Sequence, residues 1–265
     1  MKTPTIVLTI AGSDSSGGAG IQADIKTISA LGSYAASVIT SVTAQNTLGV
    51  QGIHPIPTDM VRQQITSVMD DLHPQAIKIG MVCNGDIAAA IAESIEKYQP
   101  KWVIYDPVMV STSGSKLMTD DTIDCIRRKL IPQVTLITPN LHEARILWGR
   151  EITCIDEMEK GAEALGKEYG CSVLIKGGHL EKGGMCDILY DANETQTFRY
   201  DAPKIESHNL HGTGCTLSSA IATKLSQGHS LKEAIALAKD YVTKVIDTAK
   251  DIQIGNGYGP LWHFI

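Results

Sequence analysis

The sequence is short of several things, and each shortage removes a class of protein. Aromatic residues make up 5% of the 265 positions, with only two Phe, too few for the stacking platforms that hold single-stranded nucleic acid. Basic residues do not dominate: 23 Lys and Arg face 29 Asp and Glu, a formal charge of −6, which argues against a general nucleic-acid surface. No apolar run approaches the roughly 18 residues of a membrane span. Residues 1–10 carry one Lys and a short apolar stretch, without the longer apolar region and small-residue cleavage site of a secretory signal. The six cysteines, Cys83, Cys125, Cys154, Cys171, Cys186 and Cys215, never form a Cys-x-x-Cys pair. They read as reduced thiols of a cytoplasmic protein. No cluster has zinc spacing, no Gly-x-Ser-x-Gly elbow occurs, and no Pro- or Ser-rich linker, charge block or repeat divides the chain. The expectation is one domain over 1–265, with no nucleic-acid or membrane partner and a core large enough to need no staple.

What is present is an alternation. Short runs at 5–10, 37–43, 76–79, 102–106, 135–138 and 172–176 are nearly continuous in apolar character, as strands covered on both faces are. Helical patterns lie between them at 21–31, 59–72, 86–98, 120–130, 141–147 and 157–169. Asp156 with Glu159, and Ser230 with Glu233, have capping-box spacing. An antiparallel hairpin is expected from 185–190 and 195–200, joined by 191–194, followed by long helices at 213–226 and 231–248. The fold class is therefore α/β: three α/β/α layers, a mostly parallel central sheet and a small antiparallel hairpin late in the chain. Ligands of such sheets bind at the carboxyl ends of the strands.

Glycine is in slight excess, 24 residues, or about 9% where roughly 7% is ordinary, and much of it gathers at those strand ends. Ala11-Gly12-Ser13-Asp14-Ser15-Ser16-Gly17-Gly18-Ala19-Gly20 leads from the first run into a helix. Such a loop offers backbone N–H groups to an anion or polar ligand. It has neither the ending of a P-loop nor the spacing of a dinucleotide fingerprint, and a tight strand–helix connection is the alternative. His211-Gly212-Thr213-Gly214-Cys215-Thr216 opens an apolar helix, where successive amides favour negative charge. Cys215 falls in the first turn, so its thiol is expected to be acidified and to take a proton from a substrate hydroxyl as thiolate. A small buried Cys is the alternative.

Asp106 ends the fourth run and suits Mg²⁺, directly or through water. Asn140 and Glu143, three apart at a helix opening, suit a hydrated Mg²⁺ beside phosphates, or else an N-cap with its partner. Lys176 leaves its strand toward Gly177 and Gly178 and is placed to neutralise phosphate, unless it is a surface Lys. Together these groups fit phosphoryl transfer, where positioning and charge neutralisation carry most of the catalysis.

The run 11–27, with Val42-Thr43-Ala44-Gln45-Asn46-Thr47 and Lys78-Ile79-Gly80-Met81, closely resembles the hydroxymethylpyrimidine/phosphomethylpyrimidine kinase family. Ile137-Thr138-Pro139-Asn140, Lys176-Gly177-Gly178-His179 and the 211–216 motif continue the resemblance in family order. It implies a ribokinase-like fold, ATP and Mg²⁺ as cofactors, and a homodimer. It also implies phosphorylation of 4-amino-5-hydroxymethyl-2-methylpyrimidine to the monophosphate and then to the diphosphate, for thiamine synthesis. By position, Gln45 would hydrogen-bond the pyrimidine, since one amide offers the donor and acceptor that an aminopyrimidine edge needs. Gly12, Asp24 and Met81 match other pocket positions, and Val108 packs near the ring. Lys176, Asp106, Asn140 and Glu143 match the phosphate and magnesium region. Gly212, Thr213 and Gly214 match the anion hole. Cys215 stands where many sugar kinases of this fold carry a catalytic Asp, either as base or as a group that positions the hydroxyl. Relatives that act on pyridoxal carry a hydrophobic residue at the Gln45 position and a lid Cys near Ser111. Gln45 and Ser111 thus favour the pyrimidine. A pyridoxal or pyridoxine kinase is the alternative within the fold, and a non-catalytic pyrimidine sensor the one outside catalysis. Ser111-Thr112-Ser113-Gly114-Ser115-Lys116 reads as a lid that shields the transfer from water.

Overall fold

Apolar residues adjacent in sequence enter different cores. In β1 (Ile6–Asp14), Val7 packs on one face while Leu8 and Ile10 pack on the other. In β5 (Trp102–Tyr105), Ile104 is separated in the same way from Val103 and Tyr105. In β7 (Ser172–Lys176), Leu174 is separated from Val173 and Ile175. Side chains alternate across a strand, so a sheet covered on both faces needs apolar residues at every position.

The computed structural model describes residues 4–109, 118–178, 180 and 185–265. The remaining strands are β2 (Tyr34–Asn46), β3 (Gly49–Pro55), β4 (Ala76–Ile79), β6 (Leu136–Ile137), β8 (Met185–Asp191) and β9 (Gln196–Ala202). Together they make one nine-stranded sheet in the order β3-β2-β1-β4-β5-β6-β7-β8-β9. From β2 to β7 the pairings are parallel; β3, β8 and β9 join antiparallel at the two margins. On one face lie α2 (Thr58–Leu72), α3 (Gly85–Tyr98), α4 (Asp120–Cys125), α5 (Leu141–Trp148) and α6 (Ile155–Tyr169). On the other lie α1 (Gly20–Ala30), α7 (Thr213–Ser226) and α8 (Leu231–Ala249). The expected three layers, parallel centre and late hairpin are all present.

Four local expectations need correction. β3 was not anticipated, because none of its residues is buried and its sequence shows no apolar alternation. β1 does not stop at residue 10: it bulges between Ala11 and Ser13 and pairs with β2 as far as Asp14, so the first four of the ten residues of the glycine segment are strand. The helix expected over 120–130 is α only to Cys125, then runs through a π turn, Ile126–Leu130, into a 3-10 turn, Ile131–Gln133. Asp156 and Glu159 form no capping box. α6 opens two residues earlier, after Cys154, and Glu157 instead accepts from the Thr153 amide and hydroxyl. The box at Ser230 and Glu233 is formed. The lid segment 111–116 and a glycine pair at 183–184 fall outside the described residues.

One charged residue interrupts β4. Ile77 and Ile79 enter the first core, so Lys78 between them must face the α1 and α7 layer. Its Nζ lies 2.8 Å from both carboxylate oxygens of Asp24 on α1. The same carboxylate accepts from Thr9 on β1 at 2.6 Å and from Ser219 on α7 at 2.7 Å. Lys78 and Asp24 are both 0% exposed. Burial opposes the ammonium charge, but Asp24, Cys215 and Asp106 prevail and hold Lys78 above its ordinary range. Breaking a buried pair leaves an uncompensated ion, whereas replacing both partners with apolar groups does not. Asp24→Ala should therefore lower stability in urea unfolding by about 3–5 kcal/mol. The double variant Asp24→Leu/Lys78→Met should recover most of that loss.

Candidate active site

Where the parallel strands end, the sheet opens on a cavity of about 1130 Å³. Gly12 reaches it from β1, Gln45 from β2, Met81 from the turn after β4, and Asp106 and Val108 from the turn after β5. Asn140 and Glu143 follow β6, Lys176 ends β7, and Gly212, Thr213, Gly214 and Cys215 come from the start of α7. Asp24 alone among the residues singled out from the sequence does not line it; its carboxylate lies beneath, on Lys78, which does.

The two glycine segments meet backbone to backbone. Gly212 has φ +88, and a Cβ there would lie 1.9 Å from the Gly18 carbonyl oxygen. Only glycine combines that dihedral with that approach. Asp14 ties the junction: Oδ1 accepts from the Ser16 amide and hydroxyl, and Oδ2 from the amides of Gly18 and Ala19 and from His211 Nε2 at 2.8 Å. Burial works against this carboxylate's charge, but the bonds from His211, Ser16 and Ala19 outweigh it and bring its pKa to about 2. His211 Nε2 also lies 3.2 Å from the Gln45 amide nitrogen.

At the other end, Lys176 Nζ is 2.7 Å from Asp106 Oδ1, which also accepts from Thr138 Oγ1 at 3.1 Å. Burial opposes the Lys176 charge, but Asp106 and Glu143 raise its pKa. A Cβ on Gly214 would sit 3.2 Å from Asp106 Oδ2 and 3.3 Å from Lys176 Nζ, so glycine leaves room in front of this pair. Asn140 and Glu143 form a full capping box at the start of α5. Glu143 Oε1 also accepts from the Met109 amide at 3.3 Å. Burial drives its pKa up to about 7, with Lys176 opposing and Asp106 assisting.

Cys215 departs from expectation. Burial raises its thiol to about 11, Lys78 opposes, and Asp24 and Asp106 add to the rise. The helix terminus does not overcome desolvation, so at neutral pH the group is a thiol and not the expected thiolate. Lys78, Asp14 and His211 were given no individual role from the sequence. Their signals are a lone charge inside an apolar strand, and an Asp and a His flanking glycines. Lys239 and Asp187, paired at 2.6 Å with Asp187 also accepting from the Gly177 amide, line the far end; nothing in the sequence sets them apart from other helix and hairpin polar residues. Among the described residues, no three His, Cys, Asp or Glu gather as a metal site.

A lysine–carboxylate pair and glycine-bared amides at the strand ends of a three-layer sheet define a small-molecule kinase of the ribokinase-like fold. Residues 14–262 match the phosphomethylpyrimidine kinase family, and the chain belongs to that family. A hydroxymethylpyrimidine/phosphomethylpyrimidine kinase of Rhizobium meliloti is 46% identical over 260 residues, covering 98% of this chain and 97% of that one. The phosphomethylpyrimidine kinase of Clostridium difficile 630 superposes with a TM-score of 0.81 at 43% identity, over 91% of this chain and 99% of that one. The pyridoxal kinase of Staphylococcus aureus, solved with AMP-PCP and pyridoxal, gives a TM-score of 0.86 at 32% identity, over 99% and 94%. The chain spans about half the length, 52% and 47%, of two bifunctional thiamine-biosynthesis proteins that it also matches.

The Glu143 carboxyl has a clear pH signature. Its folded pKa, about 7, exceeds the ordinary 4.5, so the folded state holds the proton more tightly than the unfolded state. Its contribution to stability should be full below pH 4.5 and decline as pH rises through 7. Thermal melts from pH 4.5 to 8 should show that decline, and Glu143→Gln should flatten it.

Proposed function

We propose that the chain is a single-domain, ATP-dependent kinase that phosphorylates 4-amino-5-hydroxymethyl-2-methylpyrimidine and then the resulting monophosphate, in thiamine biosynthesis. The observation that carries this reading is one cavity with two chemically distinct ends: the Gln45 amide at one, and the Lys176–Asp106 pair beside Gly214 at the other. Family membership supports it, and the S. aureus relative solved with AMP-PCP supports ATP as donor. Gln45 favours the pyrimidine over pyridoxal, because its amide answers an amino group beside a ring nitrogen with a complementary acceptor and donor.

In this reading Gln45 holds the ring, Gly12 and Met81 bound it, Val108 packs on it, and the hydroxymethyl group points at the 211–215 turn. Lys176 neutralises phosphate charge. The amides of Gly212 and Gly214 face the transferred group, where preorganised donors stabilise developing charge without reorganising, while the Thr213 amide is given to the Leu210 carbonyl and shapes the turn. Cys215, a neutral thiol, orients the hydroxyl; with a loose transition state, early proton removal is not required. For Mg²⁺ the fit is partial. Asp106 Oδ2 faces the space that Gly214 leaves open, while the oxygens of Asn140 and Glu143 already accept helix-start amides. That donor set suits a hydrated ion held through Asp106 and through water at Asn140 and Glu143, with phosphate completing the shell. Bound there, Mg²⁺ would offset phosphate charge. The homodimer and the cytoplasmic setting complete the proposal. Six unpaired cysteines suit a reducing compartment, and among the described residues no helix is long and apolar enough to cross a membrane.

Incubation with ATP, Mg²⁺ and the aminopyrimidine alcohol should yield mono- and diphosphate, resolved by anion exchange; absence of both overturns the reading. Lys176→Ala should cut kcat by about a hundredfold to a thousandfold with little change in KM for the alcohol. Cys215→Ala should cost less, as a positioning group would. Light scattering should give twice the chain mass.

A further inference from the structure

After α8 the chain returns along the carboxyl edge of the sheet, and one short segment touches both ends of the cavity in turn. At the ring end, the Gly257 amide donates to Thr47 Oγ1 at 3.1 Å, and the Tyr258 amide to the Thr47 carbonyl at 3.0 Å. Thr47 stands two residues beyond Gln45 and lines the cavity, as Tyr258 does. The approach is close: a Cβ on Gly257 would lie 2.1 Å from the Thr47 carbonyl oxygen.

The same segment then reaches the start of α7. The His211 amide donates to the Gly259 carbonyl at 3.1 Å, and His211 and Pro260 pair as a parallel bridge. Leu261 enters the core shared with α1, α7 and α8. His263, 1% exposed, brings Nε2 to 3.0 Å from the Thr216 hydroxyl, and its carbonyl accepts from Tyr241 on α8 at 2.8 Å. Burial, with Lys26 assisting, takes the His263 pKa down to about 4, so at neutral pH this bond joins two uncharged groups. Thr216 is fully buried in the first turn of α7, directly after Cys215 and behind the cavity wall. An apolar side chain at 263 could fill the same space. The hydrogen bond adds direction, because it fixes where the first turn of α7 stands and hence where the Gly212 and Gly214 amides stand.

We propose that residues 257–263 form a strap that holds the first turn of α7 in register with the ring-binding end of β2, so that the substrate hydroxyl and the transferred phosphoryl group meet in line. This rests on the phosphoryl-transfer reading given above. His263 is a positioning residue that acts through Thr216, and Gly257 one that acts through Thr47. Transfer depends steeply on such placement: a shift of about 1 Å caused far from the reacting atoms can cost about a hundredfold in rate. Binding of nucleotide depends on it less, because the Lys176–Asp106 pair lies on other elements.

Calorimetric titration with AMP-PCP counts the intact sites in each preparation, and kcat is expressed per intact site, so unfolded protein does not contribute. Thr216→Val keeps the side-chain shape and removes the hydroxyl; His263→Phe removes the other partner. Each should lower kcat per site by about tenfold, with the Kd for AMP-PCP and for the aminopyrimidine alcohol unchanged. The double variant should lose no more than either single one, since both remove the same bond. Thr216→Ser, which keeps the hydroxyl, should retain kcat. Gly257→Ala, which presses on the Thr47 carbonyl, should raise the Kd for the alcohol and leave that for AMP-PCP as it is. The strap is overturned by an unchanged kcat per site in Thr216→Val, by losses that multiply in the double variant, or by unchanged alcohol binding in Gly257→Ala. Thr216→Val decides the matter if His263→Phe does not fold. A wild type without turnover overturns the kinase reading and the strap with it, whereas wild-type turnover with unaffected variants overturns the strap alone.

Discussion

A buried ammonium–carboxylate contact aligns the parts on which the site depends. Lys78 on β4 and Asp24 on α1 meet beneath the cavity floor, and Thr9 on β1 and Ser219 on α7 donate to the same carboxylate. Four elements are thereby held to one point. The site's glycine segments are the lead-ins of two of them, α1 and α7. Because the ion pair is fully desolvated, it tolerates little displacement. The approach of Gly212 to the Gly18 carbonyl is possible only if both helices start where this contact places them.

This arrangement also reconciles an acidic protein with phosphate chemistry. The −6 charge is a property of the whole surface, whereas the cavity has a local balance of its own. Lys78, Lys176 and Lys239 line it, each already facing a carboxylate. Paired lysines present direction more than surplus charge. In the proposed reading, attraction for an anion comes from amides beside the glycines and from lysines that exchange a carboxylate for a phosphate oxygen. The buried thiol and the buried glutamate show the same low polarisability from the other side: both are pushed toward their neutral forms.

Much of the fold was legible because period and parity are local properties. Continuous apolar runs revealed strands covered on both faces, and the alternation between cores explains them residue by residue. β3 was not legible, since an exposed edge strand has no apolar period to read. The false capping box at Asp156 shows that spacing alone does not choose between neighbouring helix starts; Thr153 and Glu157 compete successfully. In the site, residues next to glycine at strand ends were found because topology brings strand ends together. Asp24 was placed a layer too high, because sequence does not say which side of a helix a carboxylate takes. Cys215 was misjudged because helix position is visible in a sequence and desolvation is not.

The bond between Asp14 and His211 spans 197 positions along the chain. Such a closure costs chain entropy that the packing of the intervening sheet must offset. The glycine junction therefore cannot exist in a nascent or partly folded chain that lacks α7. No shorter intermediate can offer the Gln45 end and the phosphate end at once. A ligand that engages both ends binds the completed fold alone, and by mass action it draws the chain toward completion. In the proposed reading, substrate and nucleotide together therefore stabilise the protein as well as turn over on it, since mass action favours the state they occupy.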